Sequence, residues 1–102
     1  MYPAPEPTSF ERTDRRLTVR GDLDQASRHA FWRSLEELLT AGPSVAVNLA
    51  GVTFMDAAGL AALLRAQRVA AHAGVYLIVE APSDAVLRIL DRTDATELFD
   101  IR

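Results

Sequence analysis

The sequence predicts an α/β fold, one domain built on a mainly parallel mixed sheet of about four to five strands with about four helices. Three observations carry that prediction. Short apolar runs of strand length alternate with longer stretches whose apolar residues recur at helical spacing, and this order implies right-handed crossovers between parallel strands. Aspartate or serine precedes the helical stretches, and glycine follows the first two of them. The chain has 102 residues, 49% hydrophobic and 25% charged, which suits a single core with a radius of gyration of about 13 Å.

The elements follow in order. Residues 1–8 hold three of the five prolines and read as a flexible leader, leaving 9–102 as the domain. Ser9 to Thr13 reads as an edge strand. It turns at Asp14-Arg15-Arg16 into the strand Leu17-Thr18-Val19-Arg20, which Gly21 ends. Gln25 to Thr40 reads as an amphipathic helix, with Ala30, Phe31, Leu35, Leu38 and Leu39 on one face and Arg33, Glu36 and Glu37 opposite. Asp24 is its expected N-cap and Gly42-Pro43 its stop. Val45 to Leu49 is a nearly unbroken apolar run, the pattern of a strand covered on both faces. A second helix runs from about Ala57 to Ala73, capped by Asp56 and stopped at Gly74. Tyr76 to Val79 is a further buried strand. Pro82-Ser83 opens a helix through about Asp91, and a last short helix or turn starts near Asp94, where Glu97 completes a capping-box spacing.

Composition removes whole classes of function. The net charge is −3 and the pI near 5.2, the wrong sign for a general nucleic-acid binder. Arg12, Arg15, Arg16 and Arg20 are interleaved with Glu11 and Asp14 and read as a solvated hairpin surface. No apolar run approaches the roughly 18 residues of a membrane span, and no signal-peptide pattern opens the chain. There is no cysteine, which excludes disulfides, thiol catalysis and thiolate metal sites and fits a reducing cytoplasm. All eleven basic residues are arginine, so neither a P-loop lysine nor a Schiff-base lysine exists. His29 and His72 stand on the polar sides of different helices, away from any metal-ligand spacing. No nucleophile elbow and no glycine-rich phosphate loop is present. The expectation is a non-catalytic protein without metal or cofactor.

One stretch stands apart: Val52-Thr53-Phe54-Met55-Asp56-Ala57-Ala58-Gly59-Leu60. A strand ends, Asp56 caps, and three small residues open a long helix whose first N–H groups favour anions and permit close approach. Two readings remain open, a docking end for a partner or simply a tight strand-to-helix junction. Further along the helix, Leu60, Leu63, Leu64, Ala70 and Ala71 form a core stripe. Ala58, Ala62, Arg65, Ala66 and Val69 form a second face. That alanine-rich face suits a partner helix, or it is an idle surface filled with the best helix former. Trp32, on the shoulder of the first helix's apolar stripe, reads as core.

Four blocks in order resemble the STAS domain family, and within it the bacterial anti-sigma factor antagonists. They are Gly21-Asp22-Leu23-Asp24, Val47 to Val52, Phe54-Met55-Asp56-Ala57-Ala58-Gly59-Leu60, and Val86 to Phe99. The resemblance implies a STAS-type fold and a partner, an anti-sigma factor of the serine-kinase type, whose capture releases a sigma factor. In the family that kinase phosphorylates a serine directly after the motif aspartate. Here Ala57 occupies that position and Ala58 follows, so the usual off-switch has no hydroxyl to act on. Asn48 stands where aspartate is common, and Thr53 lies before the cap and is not expected to substitute. The implied partner-binding residues are Asp22, Asp24, Asp56, Ala57, Ala58, Gly59 and Leu60, with Ala62, Arg65, Ala66 and Val69 along the helix. A rival implication is a cytoplasmic accessory subunit of an ABC-type lipid transporter, since small STAS proteins serve there too.

Overall fold

Strand pairing starts almost at the first described residue of the computed structural model, which describes residues 7–40 and 42–102. Strand β1 (Ser9–Thr13) runs antiparallel to β2 (Arg16–Leu23), placing Phe10 opposite Val19. Asp14 takes a left-handed φ of 52° in the turn between them, a conformation aspartate tolerates better than most residues. Thr8, assigned by the sequence to the leader, already belongs to the fold, because its hydroxyl donates to the Asp22 carbonyl at 2.7 Å. Residues 1–6 of that leader lie outside the described residues.

Parallel pairing then adds β3 (Ser44–Met55), β4 (Tyr76–Glu80) and β5 (Asp100–Ile101), in the sheet order β1-β2-β3-β4-β5. The connections are α1 (Arg28–Leu39), α2 (Ala57–Ala73) and α3 (Asp84–Arg92), followed by a 3₁₀ turn over Thr96–Leu98. The fold class is the predicted one, with three α-helices and one short turn in place of four helices. The radius of gyration is 13.0 Å.

Helices α1 and α2 lie side by side against one sheet face. Leu17, Val19, Val45, Val47, Leu49, Leu77 and Val79 point into that layer and are buried, as are Phe31, Leu35, Leu38 and Leu63 from the helices. Each such side chain contributes about 1.5–3 kcal/mol through its removal from water. On the opposite face Ala46, Asn48, Ile78 and Glu80 are only half-buried. The expectation of a β3 covered on both sides is therefore corrected. Ala46 makes the run look continuously apolar, yet the alternation is that of a strand buried on one face. Over this open face Arg16 Nε donates to Glu80 Oε2 at 2.8 Å, spanning β3.

Three local expectations also change. Helix α1 begins at Arg28, not Gln25, and Ser27 holds the N-cap position. Asp24 instead closes the preceding turn, its Oδ1 accepting the Ser27 N–H at 3.1 Å while Ser27 Oγ accepts the Asp24 N–H at 3.0 Å. Ala30 is exposed, and Trp32 takes the buried place beside Phe31. At the other end Asp94 adopts a left-handed φ of 55°, and Ala95 precedes the 3₁₀ turn without a side-chain cap, so the Asp94–Glu97 capping box does not form. Elsewhere the caps are as read. Ser83 Oγ accepts the Val86 N–H at 3.3 Å, and Gly74 ends α2 with φ 72°, a geometry glycine adopts without the penalty of a Cβ.

Candidate partner-docking site

The carboxyl ends of β2 and β3 build one surface. Their register shifts twice, between Thr18 and Arg20 and again between Gly21 and Asp22. A bulge puts two residues opposite one and breaks the alternation of sides. Here it leaves Thr53 and Phe54 both outward in succession, Phe54 being 50% exposed. The Thr53 hydroxyl donates to Asp22 Oδ1 at 2.8 Å, tying the two strand ends together. Asn48 Oδ1 accepts the Ala50 N–H at 3.0 Å, a local bond beside the first register shift.

Past the bulge, Asp56 adopts an extended conformation and caps α2. Its Oδ1 accepts from the N–H groups of Ala58 at 2.9 Å and Gly59 at 3.1 Å. The Leu60 N–H bonds the Asp56 carbonyl at 3.0 Å. The expected row of three free donors is thus reduced to the Ala57 N–H, the one without a protein acceptor among the described residues. A carboxylate already neutralises this helix end, so it is not an empty anion site.

The three small residues have separate jobs. Gly59 is buried because the backbone of Leu23 runs directly over it. A Cβ there would collide with the Leu23 carbonyl, whose carbon would lie 2.9 Å away. Ala58 is half-buried, and only Ala57 is exposed. The strand register sets Asp22 beside Phe54 and Leu23 beside Met55, and the Asp56 N–H bonds the Leu23 carbonyl at 3.2 Å. The end of β2 that carries the half-buried Asp22 and Asp24 thus adjoins the turn that leads through Asp56 into Ala57. Phe54 was missed as a surface residue, because only the bulge turns it outward.

Lower on α2 the assignment is corrected. Ala62 is 4% exposed and Ala66 fully buried, so they do not form an open face for a partner helix. The partner of this alanine face is α1 of the same chain. Small side chains let the two helix backbones approach closely. Leu60 is likewise buried, and Val69 packs half-buried against the core. Ala71, read as core, is exposed. Arg65 is exposed but occupied. Its guanidinium lies over the Trp32 ring, 4.0 Å from the centroid, a cation–π contact worth about 0.5–1 kcal/mol at such a site.

The comparisons with known proteins agree with this architecture. A sequence comparison with curated proteins gives no match. Among solved structures, an anti-sigma factor antagonist from Mycobacterium paratuberculosis superposes with a TM-score of 0.78 at 20% identity, covering 93% of this chain and 83% of that one. The anti-sigma factor antagonist SpoIIAA in its unphosphorylated form gives 0.72 at 18% identity, covering 94% and 88%. The STAS domain of a SulP transporter from Vibrio cholerae gives 0.55 at 15% identity, covering 90% and 77%. The family model described as "Mlab, STAS domain" matches residues 8–100. On that match over nearly its whole length, this chain belongs to the STAS domain family.

Proposed function

We propose that the protein is a non-catalytic regulatory module that binds an anti-sigma factor of the serine-kinase type and thereby releases a sigma factor. We further propose that Ala57 withholds the hydroxyl by which relatives are switched off. The observation that carries this reading is the placement of Ala57. It is the exposed first residue of α2, directly after the capping Asp56, which follows the strand end where Asp22 pairs with Phe54. The docking surface in this reading comprises Asp22, Asp24, Asp56, Ala57 and Ala58. Gly59 and Leu60 shape it from beneath. The likeness to SpoIIAA and the mycobacterial antagonist supports it.

Phosphorylation adds about −1.5 to −2 charge. With no hydroxyl at 57 or 58 that charge cannot be placed on the first turn of α2, and binding stays independent of kinase activity there. The test is capture from native lysate with wild type and Ala57→Glu, identified by mass spectrometry. An anti-sigma kinase recovered with wild type and lost with the variant, at unchanged thermal midpoint, is the expected result. Incubating the recovered complex with ATP leaves the intact mass of wild type unchanged. A phosphate on the peptide containing Asp56 to Leu60 contradicts the reading.

A second reading is favoured by two observations. The matching family model carries the Mlab description, and the SulP likeness concerns a transporter's STAS domain. In it the chain braces an ABC-type lipid transporter from the cytoplasmic side. Recovery of an ATPase or permease in the same capture experiment selects it.

A further inference from the structure

Three arginines of this acidic protein gather where no carboxylate answers them. Between α1 and α2 runs a groove of about 350 Å³, lined by Arg28, His29 and Trp32 from α1 and by Ala61, Ala62, Arg65 and Arg68 from α2. Arg12, Arg16, Arg33 and Arg102 are each in an ion pair. Among the described residues Arg28, Arg65 and Arg68 are in none, nor are Arg15, Arg20, Arg88 and Arg92; what sets the first three apart is that they line one groove. Guanidinium groups lining one groove repel one another, and a chain of net charge −3 has carboxylates to spare for pairing them. The groove nevertheless has no acidic residue in its lining.

We infer that this groove is a docking surface for an acidic segment of a partner protein, in which successive Asp or Glu carboxylates pair with Arg65, Arg68 and Arg28. The inference goes beyond the docking end at Ala57 and uses different side chains. Three features favour a run of carboxylates over a single compact anion. The arginines stand on two helices, with Arg65 and Arg68 three residues apart and so neighbours along α2. All three are exposed, so successive side chains of an extended segment can reach each of them from solvent. Arg65 already lies over Trp32, 4.0 Å from the ring centroid, and a side chain restricted before binding loses less entropy on pairing. An arginine fork is well matched to a carboxylate.

Trp32 is the only tryptophan and forms the groove's apolar side, so it reports on occupancy without a label. The probe is a synthetic glutamate-rich decapeptide, titrated into the full chain at low salt, with an oligolysine peptide as control. A saturable change in Trp32 emission with the glutamate peptide alone is expected. It should weaken steeply as salt shortens the screening length from about 30 Å at 0.01 M to about 10 Å at 0.1 M. The variants Arg28→Glu and Arg68→Glu leave the Arg65–Trp32 contact in place. Each should keep the thermal midpoint and weaken the peptide by about tenfold, which is about 1.4 kcal/mol. An unchanged affinity in both variants, or no response of Trp32 and no heat of binding in wild type, overturns the inference. So does tighter binding of inorganic phosphate or of phosphatidylglycerol vesicles than of the peptide. A dimer in sedimentation equilibrium that Arg68→Glu dissociates overturns it in favour of a second copy.

Discussion

Gly59 carries the backbone of Leu23 on its bare Cα. The end of β2 lies against the first turn of α2 with no room for a methyl group between them. This contact, more than any side-chain bond, fixes the height at which Asp56 and Ala57 emerge beside Asp22 and Asp24.

Gly59→Ala therefore sets two effects against each other. Alanine improves helix propensity by about 1 kcal/mol, while overpacking against a fixed backbone costs about 1–3 kcal/mol. Because the obstructing atoms are backbone, the second effect wins, and the expected net loss is about 1–2 kcal/mol, read by urea unfolding. Gly74→Ala meets nothing within 4 Å and pays only for its left-handed φ, about 1 kcal/mol. A Gly59→Ala protein as stable as wild type would mean that the strand end yields.

Removing the cap is the second test. Asp56→Ala strands two N–H groups and should cost about 1 kcal/mol, whereas Asp56→Asn, an equally good cap, should cost a few tenths at most. The midpoint of thermal unfolding separates the two. For a domain near this size 1 kcal/mol corresponds to about 4–8 °C.

The Thr53–Asp22 bond predicts coupling between residues 31 positions apart. A double-mutant cycle with Thr53→Val and Asp22→Ala should return an interaction of about 0.5–1 kcal/mol. Additive effects within error would show that solvent already replaces this exposed bond.

A pH dependence follows from the far edge of the sheet. The Tyr76 hydroxyl, and then the Arg102 guanidinium 3.2 Å away, hold the Asp100 carboxyl below its usual range. A lowered folded-state value means that Asp100 contributes stability above the ordinary carboxylate pKa of about 4, and that the contribution is lost as the pH falls through the lowered value. The Tyr76 phenol is pushed upward by the same carboxylate. Its contribution is present below the ordinary phenol pKa of about 10 and is lost as the pH rises through the raised value. Acid unfolding of Asp100→Asn should be flatter below pH 4 than that of wild type, and Tyr76→Phe should flatten the alkaline limb. Parallel acid curves for wild type and Asp100→Asn would remove the group from the pH response.

Much of this is legible in the sequence. Asp56 and Gly74 bracket α2 because both act within one turn of the helix they delimit, and local signals of that kind survive in sequence. Asp24 misled for the opposite reason. With Ser27 three residues on it makes a reciprocal pair of bonds that resembles a helix start and is a turn. Ala62 and Ala66 could not be assigned from pattern, since alanine is as suitable for an exposed helix face as for the seam between two helices. The pairing of Arg65 with Trp32 and the outward turn of Phe54 depend on helix packing and on a bulge. Neither leaves a periodic trace.

The strands lie in the sheet in the order in which they occur in the chain. No strand has to be threaded between two that are already joined, so during synthesis each can zip onto its predecessor as it leaves the ribosome. Loops closed this way stay short, and their entropic cost stays low. A nascent chain that has just exposed Met55 has every residue of the β1–β2–β3 ladder, while the docking end waits for α2.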